Sequence, residues 1–242
     1  MIYREEYNVR WHDTDAAREV RPTALVAYMQ ETGNRQFQSA GMPLDGIRDE
    51  KGVGFILSRI GIEILEPLHA YENIEVETFT CPPRAYTFPR GFRVLREGRE
   101  VARATSQWAL VRVADHSLVR ATDATDIMVF GDEPELALAQ PLRFRVPQEL
   151  AFAEVGTRRI GYADIDYNLH MNNTKYPDML CDFLPDPLGT RVVGMTLSYC
   201  HEAAYGDTLM VFRADADESK HYFRAYHGEV LCLEAMVQTA KR

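Results

Sequence analysis

The stretch Gly161-Tyr-Ala-Asp-Ile-Asp-Tyr-Asn-Leu-His-Met-Asn-Asn-Thr-Lys-Tyr176 concentrates acidic, amide and imidazole side chains in a short segment. Its polar residues alternate with apolar ones from Ala163 to His170, which predicts extended chain with the two kinds of side chain on opposite faces. A carboxylate, an amide and an imidazole on one face can carry out acid and base chemistry. The stretch is therefore the first candidate for a functional site.

A weaker copy of this stretch lies near the start of the chain. Two aspartates recur at a spacing of 151 residues, as Asp13 and Asp15 in the first copy and Asp164 and Asp166 in the second. The first copy has Ala17 and Glu19 where the second has its amide and its imidazole. The chain is therefore predicted to contain two divergent copies of one unit, of which only the second keeps the polar set.

Each copy is predicted to combine one helix with an antiparallel run of strands, which is an α+β arrangement. A helix is predicted from about Pro22 to Ala40, followed by a loop from Met42 to Gly54 and four strands. A proline-bearing segment with little periodicity then separates the copies. We predict an N-terminal unit at 1–132, a linker at 133–148 and a C-terminal unit at 149–242.

Composition limits the kinds of partner and site. The 242 residues carry a formal net charge of −9, which argues against nucleic acid as a partner. No run approaches the roughly 20 apolar residues of a membrane span. Four scattered cysteines and an N-terminus unlike a signal or transit peptide predict a cytoplasmic protein without disulfides.

Several polar residues have ordinary structural explanations. Asp164, Asn172 and Asn173 are predicted to serve as turn and capping residues. A calcium loop is excluded because Leu169 and Lys175 stand where glycine and glutamate are required. No glycine-rich nucleotide motif follows a strand, so no cofactor is predicted. The four scattered cysteines give no zinc site, so no metal is predicted.

Two further features have competing explanations. Glu202 ends a predicted strand, and it is either a charge in solvent or a carboxylate that folding brings beside His170. Six arginines between Arg84 and Arg103 form either a solvated hairpin or a docking patch for an acidic partner.

The segment Asp164-Ile-Asp-Tyr-Asn-Leu-His-Met-Asn-Asn-Thr-Lys-Tyr176 resembles the catalytic segment of acyl-acyl-carrier-protein (acyl-ACP) thioesterases, D-x-D-x-N-x-H-x-x-N-x-K-Y. Leu197-Ser-Tyr-Cys-His-Glu202 resembles their second segment, L-x-Y-x-x-E. The first half is similar in Leu25-x(4)-Gln30-Glu-Thr32, in Ser39-Ala-Gly41 and in a strand containing Trp108. The resemblance implies a tandem hotdog fold, with two antiparallel sheets each wrapped around a long central helix.

The resemblance also implies a site and a reaction. The catalytic positions of the family fall on Asp166, Asn168, His170 and Glu202. Ala203 stands where plant members often carry a cysteine, which favours attack by water. The implied activity is hydrolysis of fatty acyl-ACP by a bacterial, cytosolic member of the family. An acyl-CoA thioesterase and a non-catalytic acyl-ACP-binding protein are the alternatives.

The implied partner is acyl carrier protein bearing a fatty acyl phosphopantetheine. A homodimer is compatible with the resemblance. The acyl chain requires an apolar tunnel, which we expect in the first copy because that copy lost its polar residues. The candidate lining residues there are Leu25, Met29, Phe37, Phe55 and Trp108. Each of them taken singly is also explained as plain core.

Overall fold

Ten strands of the described chain form one antiparallel sheet. The computed structural model describes residues 2–125, 127, 131 and 133–242. The first half supplies β1 (Tyr3–Asn8), β2 (Val53–Ile64), β3 (Asn73–Thr80), β4 (Phe88–Arg96) and β5 (Arg99–Arg112). The second half supplies β6 (Ala153–Arg159), β7 (Thr190–Tyr199), β8 (Thr208–Asp215), β9 (Lys220–His227) and β10 (Val230–Lys241).

The strand order, β1-β3-β4-β5-β2-β7-β10-β9-β8-β6, is the same in each half when read outward from the centre. The halves meet where β2 pairs antiparallel with β7, for example Gly61 opposite Thr196. The structure therefore differs from the predicted two sheets. The pairing removes the exposed edge that β2 and β7 would each otherwise present, which favours one continuous sheet.

Helix α1 (Pro22–Ser39) confirms the long helix predicted in the first half. Proline is well suited to its first turn because that position needs no hydrogen-bonded N–H. A buried stripe that includes Leu25 and Met29 packs the helix against the sheet. This helix and the sheet border the larger of the two hydrophobic cores in the described residues.

Helix α2 (Leu44–Lys51) occupies part of the segment predicted to be a loop, so that prediction is wrong. The helix buries Ile47 and ends at Gly52, which adopts a left-handed conformation with φ of 64°. Eight residues with a glycine inside give little periodic signal, and helices this short depend on tertiary packing. The smaller hydrophobic core, which contains Ile47 and Val53, supplies that packing.

Helix α3 (Tyr176–Asp182) has only seven residues and is not the long central helix that the family resemblance implied for the second half. Its C-cap is Phe183, and Pro185 and Pro187 follow closely. Proline disfavours helical geometry in the residue before it and cannot continue the hydrogen-bond pattern. The second half therefore offers less helix to cover its sheet than the first.

The segment predicted as a linker lies across the centre of the sheet in its described part. The predicted unit boundary at residue 132 falls outside the described residues. A Cβ added at Gly61 would lie 2.8 Å from Leu138 Cδ1, and Gln140 donates a hydrogen bond to Gln238 at 2.6 Å. The strand glycine therefore allows the crossing segment to approach the sheet backbone closely.

The arginine-rich strands β4 and β5 are largely neutralised. Four of their arginines, Arg93, Arg96, Arg99 and Arg103, form ion pairs with neighbouring glutamates. Arg84, just before β4, pairs with Glu135. The region therefore presents matched charges rather than a free basic patch.

Within the described ranges, no helix combines the length and apolar character needed to cross a bilayer. In the same ranges no group of three or more histidine, cysteine or acidic side chains is arranged to hold a metal ion.

Candidate active site

The candidate catalytic segment is a tight loop rather than extended chain. A 3-10 turn at Tyr162–Asp164 precedes a loop that is closed by pairing of Ile165 with Met171. Tyr167 and Leu169 are 68% and 66% exposed, so the apolar residues of the segment do not form a buried face. The alternation itself therefore does not create the site.

The cause of this geometry is a side-chain hydrogen bond. Asp166 Oδ1 accepts a hydrogen bond from the backbone N–H of Asn168 at 2.9 Å, which closes an Asx turn. Such local bonds compete with strand pairing. Leu169 completes the reversal in a left-handed conformation with φ of 65°.

Two of the residues predicted to be structural hold this loop in place. Asp164 is buried and accepts hydrogen bonds from Arg158 Nη2 at 2.5 Å and from the N–H of Gly161 at 2.8 Å. Asn172 Oδ1 accepts from the N–H of Thr174 at 2.9 Å and caps a 3-10 turn. The turn and capping roles of Asp164 and Asn172 are thereby confirmed, while Asn173 begins the capped turn.

The weaker copy has the same backbone geometry. Thr14 pairs with Val20 to close the loop, and Asp15 Oδ1 accepts from the N–H of Ala17 at 2.8 Å. Asp13 is buried like its counterpart, and it accepts hydrogen bonds from two donors, Arg10 and the Tyr28 hydroxyl. The two copies therefore share one loop structure, and they differ in the side chains that the loop displays.

His170 and Glu202 come together although 31 residues separate them in the chain. His170 Nε2 lies 3.5 Å from Glu202 Oε1. Two backbone hydrogen bonds fix the approach, from Met171 N–H to Ala203 at 2.8 Å and from Tyr205 N–H to Leu169 at 3.1 Å. The side chains are 23% and 56% exposed, so water reaches the pair.

Asn168 is held by a residue that the sequence did not suggest. Arg48 Nη1, on α2, donates to Asn168 Oδ1 at 2.5 Å, and the Arg48 guanidinium lies 5.1 Å from the centre of the Tyr167 ring. With Oδ1 engaged, the Nδ2 group of Asn168 remains as a donor. No sequence signal could have shown this contact, because it joins positions 120 residues apart.

Asp166 takes part in loop geometry rather than in the histidine–glutamate pair. Its second carboxylate oxygen accepts from Asn172 Nδ2 at 3.4 Å, and its backbone N–H donates to the carbonyl of His170 at 3.2 Å. These contacts fix the backbone positions from which the side chains of Asn168 and His170 project. Asp166 therefore orients the other two residues.

The thiols near the site are poor nucleophiles. Burial raises the pKa of Cys200 and of Cys232, and the Cys232 sulfur lies 3.9 Å from the carbonyl oxygen of Glu202. A raised pKa lowers the thiolate fraction at neutral pH. The arrangement is therefore suited to activating water rather than to forming an acyl-cysteine.

Three of the five candidate lining residues meet in one apolar cleft. Phe37, Phe55 and Trp108 line it together with Phe88, and the Phe37 and Phe55 rings lie 5.5 Å apart. The other two lie elsewhere. Leu25 borders a second cavity between the halves, and Met29 is fully buried in the larger core.

Helix α2 connects the cleft with the candidate catalytic loop. Leu44 lines the cleft, and Arg48, one helical turn later, contacts Asn168. None of Asp166, Asn168, His170 or Glu202 lines the cleft itself. The polar site and the apolar cleft are therefore neighbours on either side of one short helix.

Comparison with known families agrees with this organisation. The acyl-ACP thioesterase N-terminal domain model matches residues 1–126, and the C-terminal domain model matches residues 151–235. Oleoyl-acyl carrier protein thioesterase 1 of Arabidopsis thaliana is 24% identical over 86% of this chain and 62% of its own length. A chloroplastic palmitoyl-acyl carrier protein thioesterase of the same plant is 22% identical over 88% of this chain and 55% of its own length.

Two solved structures share the fold. An acyl-ACP thioesterase from Bacteroides thetaiotaomicron superposes with a TM-score of 0.86 at 21% identity, covering 99% of this chain and 98% of that one. The 12:0-ACP thioesterase from Umbellularia californica gives 0.82 at 18% identity, covering 100% and 98%. The chain spans about three-fifths of the length of the curated relatives that it matches. Because the two domain models together match most of its residues, the chain belongs to the acyl-ACP thioesterase family.

Proposed function

We propose that this protein hydrolyses the thioester of fatty acyl-acyl carrier protein and releases a free fatty acid. The observation that carries the proposal is the 3.5 Å contact between His170 Nε2 and Glu202 Oε1, two residues that only the fold brings together. Membership of the family and the adjacent apolar cleft support it. The relatives' oleoyl and palmitoyl carrier substrates favour a fatty acyl chain.

The reaction begins with water beside the pair. Glu202, together with His170, takes a proton from the water, whose oxygen bonds to the thioester carbonyl carbon. Asn168 Nδ2 donates to the oxyanion that forms. The carbon–sulfur bond then breaks, and His170 returns a proton to the leaving thiolate of the phosphopantetheine arm. The products are a fatty acid and the carrier thiol.

Arg48 and Asp166 act as positioning residues in this scheme. Arg48 occupies Asn168 Oδ1 and so presents the amide nitrogen as the donor for the oxyanion. Asp166 closes the turn from which Asn168 and His170 project. One oxyanion donor typically contributes about 3 to 4 kcal/mol to catalysis, so its orientation matters for rate.

The acyl chain is assigned to the cleft lined by Phe37, Phe55 and Trp108. Each buried methylene contributes about 0.8 kcal/mol, so cleft depth governs preference for chain length. In this assignment each half is one hotdog unit, with the units at 1–132 and 149–242 and a linker at 133–148. The sheets of the two units join through the pairing of β2 with β7. The repeated strand order supports that division.

The partner is acyl carrier protein bearing the acyl phosphopantetheine, and the site of action is the cytoplasm. Cys81, Cys181, Cys200 and Cys232 are all unpaired thiols, which suits a reducing compartment. The net charge of −9 disfavours nucleic acid as a partner.

The test is release of fatty acid from acyl-ACP and from acyl-CoA, compared side by side. We expect faster turnover of acyl-ACP, and a large loss of kcat in both His170→Ala and Glu202→Gln. His69→Ala is the matched control, because the backbone of His69 forms an isolated β-bridge with Glu19 beside the weaker copy of the loop. Full turnover in both site variants would refute the site, and faster acyl-CoA hydrolysis would assign the enzyme to coenzyme A substrates instead.

A further inference from the structure

Arg90, on β4, is a buried cation without an anionic partner in the described chain. It is 6% exposed, and its Nη1 donates to two neutral acceptors, Gln36 Oε1 at 2.5 Å and Thr78 Oγ1 at 2.9 Å. Arg93, on the other face of the same strand, instead pairs with glutamates. Buried guanidinium groups are normally paired, because desolvating a charge is costly. Arg90 therefore has unused capacity to bind an acceptor.

Arg90 is one of the residues that line the apolar cleft. Among the described residues, its Nε and Nη2 groups donate to no acceptor. A Cβ added to Gly33 would lie 3.6 Å from Arg90 Nη1, so α1 lies close to the charged group at this glycine. The Phe37 ring, 5.3 Å away, covers another side.

A second polar group in the cleft is also unsatisfied. Gln30 Nε2, on α1, is buried and has no hydrogen-bond partner within the described part of the chain. Gln30 lines the same cleft as Arg90. Burial of an unsatisfied donor is unfavourable, so a ligand that supplies acceptors here gains from both groups.

The strand order places these donors far from the catalytic loop. Phe55 on β2, Trp108 on β5 and Arg90 on β4 lie on successive strands that lead away from β7. Neighbouring strands lie about 4.8 Å apart, so β4 is roughly 10 Å from β2. A chain that enters beside α2 and passes Phe55 and Trp108 therefore ends at Arg90 and Gln30.

We propose that the distal end of this cleft, at Arg90 and Gln30, binds an oxygen-bearing group at the far end of the acyl chain. The inference rests on the proposed function for the identity of the ligand as an acyl chain. A plain methyl end would leave Arg90 Nε and Nη2 and the Gln30 amide nitrogen without acceptors. A hydroxyl or a carboxylate accepts from both, and a carboxylate also neutralises the charge. Burial lowers the pKa of Arg90 to about 10, so the group remains charged at neutral pH.

The test measures binding of carrier-free ligands, which does not depend on turnover. Calorimetric titration compares plain fatty acids with ω-hydroxy acids and α,ω-dicarboxylic acids of the same lengths, each with its C1 carboxyl group as the methyl ester so that this group does not itself supply a carboxylate to Arg90. In the wild-type protein we expect the best ω-oxygenated acid to bind on the order of tenfold more tightly than its plain counterpart. Arg90→Met should abolish that preference, and Arg93→Met, on the opposite face of the strand, should keep it.

Gln30→Leu serves as the second variant, because it removes the unsatisfied amide while leaving the contacts of Arg90 with Gln36 and Thr78 intact. It should weaken the preference for ω-oxygenated acids without lowering Tm. Equal or tighter binding of plain acids by the wild type, an unchanged ratio in Arg90→Met, or no binding of any acid would each overturn the inference. If the wild-type protein does not hydrolyse acyl-ACP, the proposed function is refuted. The binding ratios still test the distal site, because they do not depend on turnover.

Discussion

Replacement of Arg48 by methionine tests whether one residue of the first half orients the amide of Asn168, the proposed oxyanion donor of the second half. Methionine keeps an extended, unbranched side chain but removes every donor. The wild-type guanidinium donates to Asn168 Oδ1 at 2.5 Å and lies over the Tyr167 ring. Without the guanidinium, the amide of Asn168 can rotate, so Nδ2 faces the proposed oxyanion position for only part of the time.

The magnitude follows from the exposure of the contact. A hydrogen bond to a charged group contributes about 1.5 to 3 kcal/mol when shielded, and exposure to solvent reduces this to about 1 kcal/mol. Such a loss predicts that kcat falls about fivefold to tenfold. Asn168→Ala removes the donor itself and should lower kcat by about a hundredfold or more. KM should stay nearly constant in both variants, because the donor acts on the transition state.

Steady-state hydrolysis of acyl-ACP measures both constants. Arg120→Met is the matched control, because Arg120 also stacks on a tyrosine, Tyr86, with its guanidinium 5.4 Å from the ring centre. Each substitution should change Tm by no more than about 3 °C. The reasoning is refuted if Arg48→Met retains kcat within twofold while Asn168→Ala loses a hundredfold. A rise in KM at constant kcat would instead show that Arg48 contacts the substrate.

Three further outcomes are expected. Cys200→Ser should keep kcat for acyl-ACP within about twofold, because burial raises the pKa of the thiol; complete loss would indicate covalent catalysis. Burial alone would raise the pKa of Asp13, but hydrogen bonds from its two donors lower this pKa overall. The ionised carboxylate therefore stabilises the folded protein at neutral pH, and this stabilisation is lost as the pH falls below the pKa of the unfolded state and through that of the folded state. Asp13→Asn should therefore lower the free energy of unfolding, measured by urea denaturation, by about 1 to 3 kcal/mol at neutral pH. The variant should also lose less of its unfolding free energy between neutral and acidic pH than the wild type, and an unchanged dependence on pH would contradict this. Gly61→Val should destabilise the protein by about 1 to 3 kcal/mol because Leu138 occupies the space, while Gly54→Val on the same strand meets no neighbour and should cost less.

Local patterns accounted for the elements whose causes are local. Pro22 and the apolar stripe after it predicted α1, and the bounds agree with Pro22–Ser39. Asx and capping chemistry predicted the roles of Asp164 and Asn172, because both bond to groups within a few residues. The repeat of two aspartates predicted two similar loops, and the hydrogen bonds of Asp15 and Asp166 show the same turn in each.

The failures have equally specific causes. Alternation from Ala163 to His170 predicted an extended segment, but the Asp166 side chain captures a backbone N–H and closes a turn instead. Helix α2 was missed because eight residues carry too little periodic signal, and its stability comes from burying Ile47 in the smaller core. The short α3 reflects the prolines that follow it.

The long helix and the turn residues could be predicted from the chain alone, since each depends on spacing or bonding within a few positions, and the duplicated unit could be predicted because its two aspartates recur in the printed sequence. Which distant residues meet depended on the packing of whole elements. Pairing of β2 with β7 joined the halves into one sheet, the backbone bonds of Met171 and Tyr205 placed His170 beside Glu202, and α2 carried Arg48 to Asn168. These contacts depend on how whole elements pack, and no periodicity along the chain encodes a contact between positions 120 residues apart.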